Sequence, residues 1–366
     1  MMRKAINDLN KNDSKAVFLF GYHLLFIPLA YKLRVDKGYS DAHFYWGMSI
    51  DINQHSWLDF ANYGTDFILF LNYPFIKLGL PFWFGFLLYG IIGYYGVLKW
   101  VHWAELVVKD NFKYKGFNFL YLVFFLPNLH VWTATLGKEP IIFWAISSVF
   151  YALATQNIKS FSFIIGSLAI LIIRPHVALM LLSAIAAVFL FHKSFSLKKR
   201  IAFAALTFTG VLALLYVVFQ STNISYWDWK RIRYFNEYSI LSFKHSGSYV
   251  PMLDYSYAYK WFSFNFRPLF FDAHSVLGLL ASIENLLSLI VFVTALFLII
   301  RFYHSIDFVP QIKVVFLFTF IVGLLYVERY ANLGIFMRTK IMFQPFMLIV
   351  LFCIINQGIT LSHSKI

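Results

Sequence analysis

Long apolar runs separated by short polar stretches recur from one end of the chain to the other. Flanking residues extend most of these runs to the roughly 20 residues that a helix needs to cross a bilayer. Helices satisfy their own backbone hydrogen bonds in lipid, whereas closed barrels use shorter, alternating strands. The pattern therefore predicts an all-α integral membrane protein with about ten transmembrane helices. The runs cover residues 16–31, 82–101, 117–126, 141–155, 161–173, 177–191, 201–219, 276–300, 314–327 and 341–355.

The composition supports this prediction and narrows the class of protein. Of the 366 residues, 60% are hydrophobic and 13% are charged, so polar side chains are too few to cover a water-facing globule of this size. The net charge of +14 is typical of basic cytoplasmic loops and of contact with the headgroups of anionic membrane lipids, and we expect no nucleic-acid partner. No repeat or linker divides the sequence, which indicates a single polytopic membrane domain over residues 1–366.

Basic residues indicate the orientation of the helices. Lysines and arginines precede the first run, which predicts a retained signal-anchor and a cytoplasmic N-terminus. The basic loop at residues 198–200 is expected on the cytoplasmic side, and alternation from it leaves the C-terminus cytoplasmic as well. Residues 33–81 and 221–275 then form two large outer loops that carry interfacial helices. Within the first, "FILFLNYPFIKLGL" is expected to be an interfacial or re-entrant segment and not a span, which its length of 14 residues permits.

Adjacent charges occur at one boundary of the apolar runs, in "WTATLGKEPIIFW". Lys138 and Glu139 stand there, and Pro140 suits the first turn of the helix that follows. Two interpretations remain open. In the first, Lys138 extends to the headgroups, and Glu139 caps the helix and is stabilised by the helix dipole. Alternatively, both side chains line a polar cavity at the outer face and bind substrate.

The first outer loop contains a candidate catalytic carboxylate in "SDAHFYW". Ser40 is expected to cap a short helix, and Asp41 and Tyr45 are four residues apart, so they share one helix face. A carboxylate placed there could accept a proton from the hydroxyl of an acceptor in a glycosyl transfer. The alternative is an amphipathic interfacial helix whose aromatic residues anchor it to the headgroups.

Basic residues at the outer ends of later runs indicate phosphate binding. "IIRPHVAL" places Arg174 and His176 in a short turn, and arginine binds phosphate through two parallel hydrogen bonds. "VERYANLGIFMRTK" adds Arg329 and Arg338. An arginine that merely extends from a helix end to the headgroups is the alternative. The aromatic segment at residues 221–239 could stack on sugar rings or lie on the membrane surface.

Five motifs together carry a resemblance to a known group of proteins. They are "SDAHFYW", "YGTDFILFLNYPFIKLG", "LPNLHVWTATLGKEPIIFW", "RPH" and "NLGIFMRTKIMFQPF". The combination resembles bacterial membrane glycosyltransferases of the GT-C type and EpsG/Wzy-like polysaccharide polymerases. This resemblance implies a GT-C-like fold with its catalytic carboxylate in the first outer loop, here Asp41. It also implies that Arg174 and Arg338 hold the phosphate of a polyprenyl-linked donor.

The expected function is transfer of a sugar from a polyprenyl-phosphate carrier to a glycan or lipid acceptor, at the outer face of the bacterial inner membrane. The reaction requires no cofactor, although a divalent metal is compatible with it, and no residue spacing predicts a metal site. Membrane lipids are the other expected partners. One alternative is a lipid-linked oligosaccharide flippase, which predicts charged groups in the middle of the spans. Another is a subunit of an envelope complex that has no catalytic role.

The predicted topology can be tested with cysteines at Ser56 and Gly79, in a variant without the single native cysteine, Cys353. Both positions should react from outside in intact cells with a reagent that does not cross membranes, because residues 33–81 are expected to contain no complete span. If the cysteine at Gly79 reacts only after permeabilisation, the assignment of the charged boundary residues to the outer face is wrong.

Overall fold

The computed structural model describes residues 2–108, 113–114, 117–118, 120–190, 196–221, 228–306 and 308–363. In these ranges the protein is helical, apart from a two-stranded antiparallel ribbon, β1 (Lys113–Tyr114) and β2 (Phe117–Asn118), and an isolated bridge between Tyr249 and Asn332. The helices are α1 (Met2–Val35), α2 (Asp41–Tyr45), α3 (Thr65–Lys77), α4 (Phe82–Val107), α5 (Leu120–Phe124), α6 (Pro127–Thr133), α7 (Lys138–Thr155), α8 (Phe161–Ile173), α9 (Pro175–Leu190), α10 (Leu197–Ser221), α11 (Trp229–Leu241), α12 (Tyr257–Phe266), α13 (Val276–Arg301), α14 (Pro310–Tyr326), α15 (Leu333–Lys340) and α16 (Gln344–His363).

Several apolar helices indicate a membrane-associated protein. Five helical segments in the described ranges are long and apolar enough to cross a membrane: Lys15–Val35, Phe82–Val107, Arg200–Gln220, Val276–Arg301 and Gln344–Ser362. Four shorter apolar helical segments are Leu120–Thr133, Phe161–Ile173, Pro175–Leu190 and Pro310–Tyr326. The all-helical class predicted from the sequence is therefore confirmed in these ranges, while the count of about ten spans and their orientation stay predictions.

The shorter helices end where a charged residue or a proline interrupts the apolar sequence. Arg174 separates α8 from α9, and Pro175 begins α9, so the apolar residues 161–173 and 177–190 belong to two helices of 13 and 16 residues. Proline suits the first turn of a helix because its missing N–H has no partner there. Pro127 begins α6 in the same way, three residues after the last residue of α5.

Residues 36–81 contain short helices. The longest is α3, with 13 residues, and two 3-10 helices, Ile52–Gln54 and Trp57–Phe60, precede it. A helix of 13 residues rises about 20 Å, less than the hydrocarbon thickness of about 30 Å. These lengths agree with the prediction that the first outer loop lacks a complete span.

The described chain divides into two compact units, and we describe each by itself. Unit 1 consists of Met1–Trp103 and Tyr121–Ile173, and unit 2 of Ala104–Leu120 and Arg174–Ile366. The single membrane domain expected from the sequence stays a prediction.

Unit 1 depends on close packing of helix backbones. A Cβ at Gly93 would overlap the carbonyl oxygen of Thr133, and one at Gly96 would lie 2.8 Å from the Cα of Trp144. Glycine is needed at both positions because α4 would otherwise be pushed away from α6 and α7. Packed indole and phenyl rings fill the interior, with Trp100, Trp103, Phe143 and Phe150 almost completely buried.

Unit 2 contains the second half of the helices. In it α9 packs against α10 and α14, and α16 packs against α13 and α14. The segment before α12 is tied to the segment before α15, since the N–H of Val250 donates to the carbonyl of Ala331 (2.8 Å) and the amide of Asn332 donates to Ser246 Oγ (2.8 Å). These bonds fix the loop residues that lie between the apolar helices of this unit.

The aromatic segment at residues 221–239 is described in part. Residues 222–227 lie outside the described residues, and the remainder begins α11, where the carboxylate of Asp228 accepts from the N–H groups of Lys230 and Arg231. Several rings of α11 are exposed, including Trp229, Tyr234 and Tyr238. Exposed rings are consistent with either of the roles considered for the segment, sugar stacking or contact with the membrane surface.

Candidate functional site

In unit 1, α2 carries the candidate catalytic carboxylate at its first residue. Asp41 is exposed, whereas Tyr45 at the last residue of α2 is only 4% exposed. Ser40 occupies the expected N-cap position, but its hydroxyl bonds the ring of His43 (3.0 Å) and not a backbone N–H of the helix. The two candidates therefore have different surroundings, with Asp41 accessible from solvent and Tyr45 inside the unit.

A chain of buried hydrogen bonds fixes the end of α2. The amide of Asn72, on α3, donates to the carbonyl of Tyr45 (2.8 Å), and the hydroxyl of Tyr89, on α4, donates to the amide oxygen of Asn72 (3.0 Å). All three residues are nearly inaccessible to solvent. These bonds join the first outer loop to α4 and hold Tyr45 in a defined position.

Tyr45 and Glu139 meet at the start of α7. A Cβ at Gly137 would lie 3.2 Å from Glu139 Oε2 and 3.3 Å from Tyr45 Cε2, so both side chains pack closely against this glycine. Glu139 is 1% exposed and lies in the first turn of α7, where the helix dipole favours a negative charge. Lys138 is half-buried and donates to Thr65 Oγ1 (2.8 Å) at the first residue of α3. The structure thus brings Tyr45, Lys138 and Glu139 together around the α7 N-terminus.

In unit 2, three of the predicted phosphate-binding residues gather around Tyr326, at the end of α14. The ring of His176 packs edge-on against the ring of Tyr326, with centroids 5.9 Å apart. Arg174 is 8% exposed, and both it and Arg329 act electrostatically on the Tyr326 hydroxyl. We call Arg174, His176, Arg329 and Tyr326 the Tyr326 cluster.

Arg329 is the best-defined cation of the Tyr326 cluster. Its Nη1 donates to Ser239 Oγ (2.9 Å), and its guanidinium lies 4.0 Å from the centroid of the Phe235 ring. Burial lowers the pKa of Arg329, which means that its charge is partly deprived of water. An anion bound beside it would compensate that loss of hydration. Its neighbour Glu328 instead pairs with Lys260, at 2.9 Å.

Arg338, the remaining predicted phosphate ligand, lies on α15 and is half-exposed. Two residues further on, Lys340 is completely buried. Its Nζ donates to Asn285 Oδ1 (2.7 Å) and to the carbonyls of Arg267 (2.9 Å) and Asn265 (3.3 Å). Burial lowers the pKa of Lys340 to about 7, and the charge of Glu284 opposes this effect. Three acceptors around one nitrogen require three N–H groups, so these bonds select the charged ammonium.

A buried ion pair, Arg267 and Asp272, lies next to the Lys340 site. Arg267 donates through two nitrogens to both oxygens of Asp272, at 3.0 Å and 2.6 Å, and the side chains are 11% and 7% exposed. Burial opposes ionisation of Asp272, but the hydrogen bonds from Arg267 and from the N–H of Leu269 outweigh it and hold the pKa of the carboxyl below its usual value. The pair closes the connection between α12 and α13.

An apolar cavity of about 480 Å³ lies in unit 2 between α12, α13, α14 and α16. Side chains such as Phe266, Phe292 and Met347 line it. We call this space the apolar cavity. Polar groups occur along its wall as well, among them Asn265, whose carbonyl accepts from Lys340. Leu324 lines the cavity near the end of α14, and Tyr326, the last residue of that helix, follows two residues later, so one helix contributes to both the cavity and the Tyr326 cluster.

No family model, curated protein or solved structure matches this chain. The geometry of the described residues therefore carries the functional argument. Within those residues no group of three or more His, Cys, Asp or Glu side chains is placed to hold a metal ion.

Sequence reasoning missed the buried polar network of Lys340, Arg267, Asp272 and Asn285. One signal was available, because Glu284 and Asn285 are adjacent polar residues inside the apolar run at residues 276–300. In apolar surroundings such residues need partners, and they mark either a structural network or a functional site. The partners themselves are 17 to 55 residues away in sequence and could not be read from spacing.

Asp272→Asn should destabilise unit 2. The substitution leaves the buried guanidinium of Arg267 without a counter-ion, which typically costs about 3 kcal/mol. The control is Glu237→Gln, which breaks the exposed pair of Arg233 and Glu237 (82% and 43% exposed) and should cost less than about 1 kcal/mol. Thermal unfolding of the detergent-solubilised protein, followed by tryptophan fluorescence, measures both effects.

The pH dependence of the same pair has a defined sign. Because the pKa of Asp272 is lowered in the folded protein, the pair stabilises the fold above the ordinary carboxyl pKa of about 3.9, and this stabilisation is lost as the pH falls through the lowered value. The difference in melting temperature between wild type and Asp272→Asn should therefore shrink in acid. Equal melting temperatures of the two proteins at neutral pH would contradict a stabilising role for the pair.

Proposed function

We propose that this chain is an integral membrane glycosyltransferase that uses a polyprenyl-phosphate-linked sugar as donor. The observation that carries the proposal is the presence, within unit 2, of both an apolar cavity and the cationic Tyr326 cluster, to each of which α14 contributes. A lipid-linked sugar phosphate presents a hydrocarbon chain and an anionic group in direct succession. A protein that binds it needs an apolar space and a cationic site side by side.

The apolar cavity suits the hydrocarbon part of such a donor. A volume of about 480 Å³ falls within the range of ligand pockets, which is roughly 300–1,000 Å³. Phenyl rings and aliphatic side chains dominate the lining, and burying a CH₂ group against them contributes about 0.8 kcal/mol. Several isoprene units would thus bind by burial alone.

The Tyr326 cluster suits the phosphate. Arg174 and Arg329 supply guanidinium groups, which bind phosphate oxygens through paired hydrogen bonds, and His176 adds a titratable ring beside them. Both arginines are largely withdrawn from solvent, so their interaction with an anion is stronger than it would be in water. During transfer they would stabilise the negative charge that develops on the departing carrier phosphate.

The base in the reaction is assigned to Asp41, as the resemblance to GT-C-type transferases implies. Its carboxylate would take the proton of the acceptor hydroxyl as that oxygen bonds to the anomeric carbon and the bond from this carbon to the phosphate oxygen breaks. Exposure of Asp41 supports this role, because an acceptor glycan or lipid has to reach the base from outside. Tyr45, Lys138 and Glu139 would then contact the sugar or acceptor near α7, and Arg338 the donor phosphate.

The number of transmembrane helices and their orientation are also proposed. We infer about ten transmembrane helices in a GT-C-like arrangement, with both termini cytoplasmic and outer loops near residues 33–81 and 221–275. Location in the bacterial inner membrane follows from the same resemblance. The acceptor is a glycan or lipid of the cell surface, and no metal is required by the proposed steps.

A lipid-linked oligosaccharide flippase is the second candidate, and one observation favours it. Glu284 is the ninth residue of α13 and is buried within that apolar helix, and His23 is buried within α1. Ionisable residues inside spans are common along transport pathways. A flippase would move the lipid-linked sugar across the bilayer and leave its glycosidic bond intact, which separates the two functions in one assay.

Arg174→Ala should weaken binding of the donor at least about tenfold, because a hydrogen bond to a charged group contributes roughly 1.5–3 kcal/mol. Arg174→Lys should also weaken it, since an ammonium cannot form the paired hydrogen bonds of a guanidinium. Proteoliposomes containing the purified protein would be supplied with a panel of polyprenyl-phosphate and polyprenyl-diphosphate sugars. The matched control is Arg233→Ala, on the exposed face of α11. Unchanged donor affinity in Arg174→Ala would contradict the assignment of Arg174 as a ligand of the donor phosphate.

Asp41→Asn should lower turnover by about 10² or more, because the amide keeps the size of the side chain but cannot accept the proton. Donor binding should remain nearly intact. Release of the free carrier phosphate in the proteoliposome assay measures turnover, and Asp51→Asn in the same outer loop serves as the control. Full activity of the Asp41→Asn variant would overturn its assignment as the base.

A further inference from the structure

Two histidines form a direct contact inside unit 1. His23, on α1, and His130, on α6, are both fully buried, and their Nδ1 atoms lie 2.9 Å apart. Each ring also uses its second nitrogen. The Nε2 of His23 lies 3.0 Å from the carbonyl oxygen of Gly90, and the Nε2 of His130 lies 2.9 Å from that of Phe124.

Counting hydrogens shows what these three contacts require. A carbonyl oxygen only accepts, so each Nε2 must carry a proton and donate. In two neutral rings protonated at Nε2, both Nδ1 atoms are bare, and two lone pairs would face each other at 2.9 Å. Moving a proton to one Nδ1 repairs that contact but leaves a bare Nε2 against a carbonyl. All three contacts are favourable only when the two rings together hold three protons.

The surrounding backbone keeps both rings in place. A Cβ at Gly90 would lie 2.6 Å from the Cδ1 of Ile27, and one at Gly93 would overlap the carbonyl oxygen of Thr133, so α4 is pressed against both α1 and α6. Phe124 ends α5, where a carbonyl has no partner within the helix, and His130 supplies one. Turning the His130 ring away would remove this partner from the buried end of α5.

Aromatic rings surround the two histidines. Tyr22 meets the His130 ring edge-on with centroids 4.8 Å apart, Phe26 stacks on it at 5.5 Å, and Tyr94 lies 6.1 Å from the His23 ring. The titratable groups facing the pair are Tyr22 on α1 and Tyr94 on α4, whose hydroxyls donate to the carbonyls of Phe125 and Ala16. These contacts leave the two imidazoles enclosed by aromatic side chains, so the proton that they share is held away from solvent.

We propose that His23 and His130 form a proton-binding site in which two imidazoles share a third proton between their Nδ1 atoms. The bound proton joins α1 to α6 through an N–H···N hydrogen bond. Its loss leaves two opposed lone pairs and weakens that connection. Ionisable residues inside apolar spans commonly serve proton binding, and the site is independent of the proposed donor site in unit 2.

Nuclear magnetic resonance of the wild-type protein, labelled with ¹⁵N-histidine and reconstituted in lipid, tests the proposal directly. A shared N–H···N bond transmits a scalar coupling between the two nitrogens, which requires no variant to detect. We expect this coupling on the acid side of a single titration step that adds one proton to two rings. Its absence at every pH at which the protein stays folded, or separate protonation of each ring, overturns the site.

Substitution of the histidines gives a second test, read by the same nuclear magnetic resonance titration. His23→Gln and His130→Gln should each abolish the coupling and the shared titration step, because a single imidazole whose Nε2 already donates to a carbonyl has no second ring with which to share a proton. The control His304→Gln, at an exposed histidine of unit 2, should retain both. A titration step that persists unchanged in His130→Gln would mean that His23 binds its proton alone, and would overturn the proposal.

Discussion

Buried polar groups inside these apolar helical units depend on partners within the chain, because an unsatisfied polar group costs several kcal/mol in an apolar environment. Lys340 illustrates the constraint most clearly, since one ammonium satisfies two backbone carbonyls and the side chain of Asn285. Those carbonyls belong to the end of α12, where helix geometry leaves them unpaired. The lysine therefore acts as an internal cap that fixes α12, α13 and α15 to one another.

The same constraint explains where the helices break. At the end of α5 the carbonyls of Phe124 and Phe125 receive bonds from His130 and Tyr22, and the chain can stop one helix and start another without exposing backbone. Arg267 and Asp272 perform the corresponding task between α12 and α13. Breaks of this kind create irregular, polar positions inside apolar surroundings, and membrane proteins use such positions for ligands.

Unit 2 contains two features that a lipid-linked substrate needs, an apolar cavity and buried arginines, and α14 contributes to both. Arg329 lies on the ring of Phe235 and donates to Ser239, and neither of these groups carries a charge. By contrast, Lys260 and Arg267 are paired with carboxylates. The distinction favours Arg329 over Lys260 and Arg267 as a ligand for an anion. Unit 1 contributes a different chemistry, with a buried carboxylate at Glu139, an exposed one at Asp41 and the paired histidines.

Several features could be predicted from the sequence because they depend on local composition. Apolar runs of nearly bilayer length determined the membrane-associated, helical class. The start of α7 close to Pro140 and the start of α2 directly after Ser40 followed from those two residues. These signals lie within a few residues of what they determine.

The sites themselves depended on contacts between distant residues, which local periodicity does not report. His23 and His130 are 107 positions apart, and Lys340 is 55 to 75 positions from its acceptors. In the sequence each is one polar residue near an apolar run, and nothing local distinguishes a side chain that extends to headgroups from one that binds a buried carbonyl. Only the packing of the helices decided the difference, because a partner is defined by distance and direction in space.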